Sequence, residues 1–94
     1  MTDTLARVFA IIEDRKANPK QGSYTNRLLE AGEDEIVKKV GEEAVEVILA
    51  VKGQGDARVI SELADLAYHC LVLLAQRGLT PQDIAAELER RYHP

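Results

Sequence analysis

The stretch from Lys38 to His69 constrains this chain more than any other: K-K-V-G-E-E-A-V-E-V-I-L-A-V-K-G-Q-G-D-A-R-V-I-S-E-L-A-D-L-A-Y-H. Two apolar runs of helical period flank a glycine-rich break, and both carry acids. Glu42, Glu43 and Glu46 sit in the first run, and Glu62 and Asp65 in the second. The break centres near Gln54. Glu46 and Glu62 each lie eight residues from it, and Glu43 and Asp65 each lie eleven. Residues three apart share a helix face. A hairpin at the break therefore brings E-x-x-E and E-x-x-D to one height, about 12 to 16 Å from the turn at about 1.5 Å per residue.

Four clustered carboxylates repel one another, and an uncompensated carboxylate in an apolar setting tends to take up a proton. A hard divalent cation resolves the conflict, because Mg2+ and Mn2+ prefer oxygen ligands. The spacing thus predicts a metal site built from Glu43, Glu46, Glu62 and Asp65, with Glu42 farther round and wetter. Magnesium held by a few carboxylates usually accompanies phosphate substrates. Cysteine- or histidine-rich zinc spacing is absent from the sequence.

Size and charge narrow the classes. Ninety-four residues make one domain, residues 1–94, and a chain this short is expected to self-associate. A net charge of -4 and an aromatic content of 4% disfavour a nucleic-acid surface and base-stacking platforms. Cys70 lies in an apolar run and reads as a small hydrophobe. The short N-terminal apolar run is mixed with charges, unlike a signal peptide. No run approaches the roughly 18 apolar residues of a membrane span. The expectation is a soluble cytoplasmic protein that binds neither nucleic acid nor membrane.

In chain order, Leu5, Val8, Phe9 and Ile12 recur at helical spacing, and Pro19 and Gly22 end that helix. Lys20 to Arg27 reads as a loop, with Thr25 or Asn26 capping a short turn through Leu28 and Leu29 that stops at Gly32. A second helix runs from about Glu33 to Val51, with an acidic first turn that suits the helix dipole. Gly41 lies inside it and costs about 1 kcal/mol of helix propensity against Ala, which hints at a close approach of backbone or ligand. Asp56 is placed to cap a third helix reaching about Arg77. That helix is apolar nearly all round and should be covered on most sides. Glu62, Asp65 and His69 share one face of it, with His69 a hydrogen-bonded neighbour and Tyr68 a packing residue. Thr80-Pro81-Gln82-Asp83 opens the last helix with a cap and a proline at its first position. Its tail, Arg90 and Arg91, ends it favourably. With no strand pattern, the predicted fold is all-α, a bundle of about four helices per chain.

Those residues match a known pattern. S-Y-T (23–25) with Leu28, K-K-V-G-E-E-A-V-E-V (38–47), and S-E-L-A-D-L-A-Y-H (61–69) followed by L-V-L-L resemble the phosphoribosyl-ATP pyrophosphohydrolase family of histidine biosynthesis. The resemblance covers nearly the whole chain, including L-E-R-R at 88–91. The acidic core alone is similar to the wider superfamily of all-α, MazG-like nucleoside triphosphate pyrophosphohydrolases. The resemblance implies hydrolysis of phosphoribosyl-ATP to phosphoribosyl-AMP and pyrophosphate. It also implies dependence on Mg2+, with Mn2+ as a substitute, and a homodimer that completes the bundle. A separate cyclohydrolase would act next, since this chain has no room for that domain. On this reading Glu43, Glu46, Glu62 and Asp65 hold the metal, and Glu42 or Glu46 orients or deprotonates the attacking water. Lys38, Lys39 and Arg27 would neutralise phosphates. Ser23, Tyr24 and Thr25 would recognise the nucleotide or phosphoribosyl part. Two alternatives use the same residues: a housekeeping nucleoside triphosphate pyrophosphohydrolase, and a non-catalytic helical dimerisation module.

Overall fold

The computed structural model describes residues 2–93. Among them the regular elements are all α-helices: α1 Thr2–Ala17, α2 Tyr24–Ala31, α3 Glu33–Gly53, α4 Asp56–Gln76 and α5 Pro81–Tyr92. The all-α reading holds. The number of helices is five rather than about four, because the expected turn around Leu28 is the eight-residue helix α2. Ser23 caps it, accepting a hydrogen bond from the Asn26 backbone N–H at 3.2 Å on its Oγ, whereas the sequence pointed to Thr25 or Asn26. Asn26 instead clamps the preceding loop. Its side chain donates to the Arg15 carbonyl at 2.8 Å and accepts from the Lys20 backbone N–H at 2.9 Å. Gly32 sits at φ +99°, a value that favours glycine, and turns the chain from α2 into α3.

One apolar cluster joins four helices: Phe9 and Ile12 of α1, Leu28 of α2, Ile36 of α3, and Leu71, Val72 and Ala75 of α4. Each large side chain buried there contributes roughly 1.5–3 kcal/mol. The α3–α4 pair is the most extensive contact in the chain. Gln54 and Gly55 (φ +87°) make its turn, and Arg77 pairs with Glu33 at 2.9 Å at the opposite end. Asp56 is the first residue of α4 rather than its cap; Gly55 holds the cap position without a side-chain bond. The C-terminal end of α4 is tied to α1 by Lys16, whose ammonium donates to the Ala75 carbonyl at 2.7 Å.

Two expectations about α4 need correction. Within one chain it is covered on most sides only along its second half; in the first half Glu62 is buried but Ile60 is 67% exposed and Leu63 44%. On α3, Val45, Ile48, Leu49 and Val51 are exposed as well. The apolar positions of these two helices therefore extend beyond what a single chain covers. Second, α4 is 21 residues long and contains an 18-residue window with a mean hydropathy of 1.3, which is enough by length and composition to cross a membrane. The average is high because apolar residues surround the axis. Glu62 and Asp65 near its middle are costly in lipid, and a central bundle helix accounts for the same composition.

The cap predicted for α5 forms, and does so as a capping box: Asp83 accepts from the Thr80 backbone N–H at 2.8 Å, and Pro81 follows the cap. Arg90 and Arg91 both pair with Glu87, and these contacts hold its carboxyl below the usual range. Yet α5 touches the other helices only lightly. A groove of about 650 Å3 opens between it, α1 and α4, lined by Leu5, Phe9, Cys70, Leu74, Ile84 and Leu88 among others.

Candidate functional site

The α3–α4 hairpin brings together three of the expected acids. Ligand atoms of Glu43, Glu62 and Asp65 all lie within 4.8 Å of one another. Glu46, expected with them, is exposed and is not part of that group. Sequence symmetry about Gln54 placed Glu46 opposite Glu62. In three dimensions Glu43 faces both acids of α4, and Glu46, one turn nearer the break, points into solvent.

Burial of a carboxylate is tolerated when a counter-charge is near. Glu62 is 5% exposed and is paired with Arg58, one turn earlier on α4. Glu43 is paired with Lys39 at 3.6 Å, and the same ammonium lies 3.4 Å from Glu42. Asp65 is exposed and has no ion pair among the described residues. Desolvation pulls the Lys39 pKa down, but the nearby Tyr24 phenol, Glu42 and Glu43 outweigh it, and the net shift is upward. Lys39 therefore stays protonated at neutral pH beside the acids. Arg58 was not singled out by the sequence reading, although its place four residues before Glu62 on one helix face was a legible signal. The all-oxygen set suits a hard divalent cation: three carboxylates converge, only two of them have a counter-ion, and no nitrogen or sulfur donor belongs to the group.

Beside the acids lies an aromatic cluster. Tyr24 stacks on Tyr68 with ring centroids 6.3 Å apart, and His69 stands edge-on to both. The Tyr24 hydroxyl is 2.9 Å from His69 Nε2, and His69 Nδ1 is 2.7 Å from the Asp65 carbonyl. Thr25, buried, shares a hydrogen bond with the Tyr68 hydroxyl. The Arg27 guanidinium lies 5.4 Å from the Tyr24 ring centre, a cation–π distance, and borders a hollow of about 290 Å3 with Lys20 and Ser23.

The set S-Y-T, expected to recognise the nucleotide, thus divides. Ser23 caps a helix and Thr25 is bonded to Tyr68, whereas Tyr24 is part-exposed beside the acids. Of the residues expected to bind phosphate, Lys39 is at the acids, Arg27 lies over Tyr24, and Lys38 is exposed. The expected role of His69 as a hydrogen-bonded neighbour is what the geometry gives. Gly41 is the exception: a Cβ there would meet nothing within 4 Å, so no backbone approaches it within the chain.

Comparison with known proteins supports the pattern. The phosphoribosyl-ATP pyrophosphohydrolase family profile matches residues 5–92. The chain is 51% identical to the phosphoribosyl-ATP pyrophosphatase of Pelotomaculum thermopropionicum over 89 residues, covering 95% of this chain and 91% of that one. It is also 51% identical to the enzyme of that name from Sulfurisphaera tokodaii, over 96% of each chain. It resembles part of the histidine biosynthesis bifunctional protein HisIE of Caldanaerobacter subterraneus, at 49% identity over 96% of this chain and 44% of that protein. With a match this long and this similar, the chain belongs to the phosphoribosyl-ATP pyrophosphohydrolase family.

Proposed function

We propose that this protein hydrolyses phosphoribosyl-ATP to phosphoribosyl-AMP and pyrophosphate in histidine biosynthesis, with Mg2+ as cofactor and Mn2+ as a substitute. The observation that carries the reading is the convergence of Glu43, Glu62 and Asp65 from two helices onto one point. Family membership supplies the substrate class.

When bound by these three carboxylates, the cation would neutralise triphosphate oxygens and stabilise the charge that builds in the transition state. Lys39 sits where it can pass from Glu43 to a phosphate oxygen, and Lys38 and Arg27 add positive charge. Glu46 is exposed one turn beyond Glu43, and Glu42 is held by Lys39. These two are the proposed groups that orient the attacking water and take its proton. Water adds to phosphorus, the anhydride bond breaks, and pyrophosphate leaves. Tyr24 contacts the nucleotide, with Ser23 and Thr25 holding the start of α2 in place.

The exposed apolar residues of α3 and α4 support a homodimer in which a second copy covers Ile48, Leu49 and Ile60. The enzyme would work in the cytoplasm, and the next step would fall to a cyclohydrolase outside this domain.

The test is pyrophosphate release from phosphoribosyl-ATP and from a panel of nucleoside triphosphates. Strong preference for phosphoribosyl-ATP is expected. Equal turnover of the panel would replace this reading with a housekeeping pyrophosphohydrolase.

A further inference from the structure

Two hydrogen bonds meet at His69, and the first dictates the second. Nδ1 lies 2.7 Å from the Asp65 carbonyl oxygen. A carbonyl can only accept, so the ring proton is on Nδ1. In the neutral ring Nε2 then carries a lone pair and no hydrogen. It lies 2.9 Å from the Tyr24 hydroxyl, which must be the donor. A phenol has one proton to give. With that proton committed to His69, the Tyr24 oxygen offers only lone pairs to any other group.

His69 is placed to enforce this. It is 6% exposed, its ring stands edge-on to both Tyr24 and Tyr68, and its anchor is the backbone of one of the three clustered acids. Tyr24 itself is 39% exposed, so its oxygen is within reach of a ligand.

The geometry points to His69 as a positioning residue that makes the Tyr24 oxygen a hydrogen-bond acceptor only, matched to a hydroxyl or amino group of the nucleotide and mismatched to phosphate oxygens. The inference rests on the proposed function, in which Tyr24 contacts the substrate. A phosphate oxygen carries no proton to give at neutral pH, so a phenol whose own proton is taken cannot bind it. Phosphate recognition is left to the lysines, and Tyr24 reads the sugar or base portion.

Three measurements test this. The first is the nitrogen-15 spectrum of the His69 imidazole in the wild-type protein at pH 8. A protonated Nδ1 and a bare Nε2 are expected, and the opposite tautomer overturns the inference. The second compares Tyr24→Phe and His69→Asn. Asn keeps a donor for the Asp65 carbonyl but offers Tyr24 no acceptor at the Nε2 position. Each should raise KM for phosphoribosyl-ATP about tenfold, the loss of one hydrogen bond, with kcat within about twofold. The double variant should be no worse than either single, because the two residues act as one unit. His69→Gln, which restores an acceptor near Nε2, should recover part of the loss. An unchanged KM in Tyr24→Phe, or additive losses in the double variant, overturns the inference. The third is inhibition by inorganic pyrophosphate, which Tyr24→Phe should leave unchanged; weakening equal to the KM effect would mean that the phenol serves phosphate. A wild-type protein inactive on phosphoribosyl-ATP would contradict the proposed function, whereas the nitrogen spectrum reads the inference without turnover.

Discussion

The α3–α4 pair and α5 are opposites in what supports them. By local criteria α5 is the better helix. It has a capping box, a proline at its first position, and a glutamate paired with two arginines near its end. Its tertiary contacts are slight. The α3–α4 pair has weaker local credentials: an interior glycine, three acids drawn together, and cap positions held by Gly32 and Gly55 without side-chain bonds. It nevertheless forms the most extensive contact in the chain and carries the candidate site. The candidate site is therefore marked by departures from local preference that tertiary packing sustains, and not by helix quality.

The largest effect should come from breaking the acidic convergence. Asp65→Asn or Glu62→Gln should lower turnover of phosphoribosyl-ATP by at least about a hundredfold, the scale of losing a group that stabilises transition-state charge. Circular dichroism should remain helical. Activity near wild type in both variants would remove the site from α3–α4. In Glu62→Gln the Arg58 guanidinium loses its carboxylate partner, so a modest change in melting temperature is compatible with this account.

Next comes stability. Ile36→Ala, at a fully buried position between the helices, should cost about 2–5 kcal/mol in chemical denaturation. Leu88→Ala on α5 is 49% exposed in the single chain and should cost under about 0.5 kcal/mol. A large cost for Leu88→Ala that depends on protein concentration would show that a second copy packs on α5. The contrast between the two regions would then belong to the isolated chain and not to the assembly.

The smallest effect concerns Gly41. With open space around its Cβ direction, Gly41→Ala should stabilise α3 by about 0.5–1 kcal/mol and leave activity unchanged. Loss of activity, or destabilisation, would indicate that a ligand or a partner helix approaches the α3 backbone there.

Much of this was legible in the residues. Apolar periodicity placed α3 and α4 to within about two residues, and the acids at equal distances from Gln54 announced a hairpin with a charged interior. Three of the four expected ligands do converge. Glu46 does not, because symmetry along the sequence fixes height on a helix pair but not the rotation of each helix about its axis. The helix α2 reads as a short turn in the sequence because it is only eight residues long, and its cap Ser23 lies in a polar run that also reads as loop. The link from Tyr24 to His69 spans 45 residues, and no local spacing rule reaches that far. The resemblance groups Ser23, Tyr24 and Thr25 as one recognition unit; packing gives each a different hydrogen-bond partner, the Asn26 backbone, His69 and Tyr68 respectively.

The most direct measurement is anomalous scattering from a crystal grown with Mn2+. A manganese peak bound by the carboxylates of Glu43, Glu62 and Asp65, and lost in Asp65→Asn, is the predicted result. Manganese absent from that point, with the three carboxylates still held only by Arg58 and Lys39 at saturating Mn2+, would contradict the account.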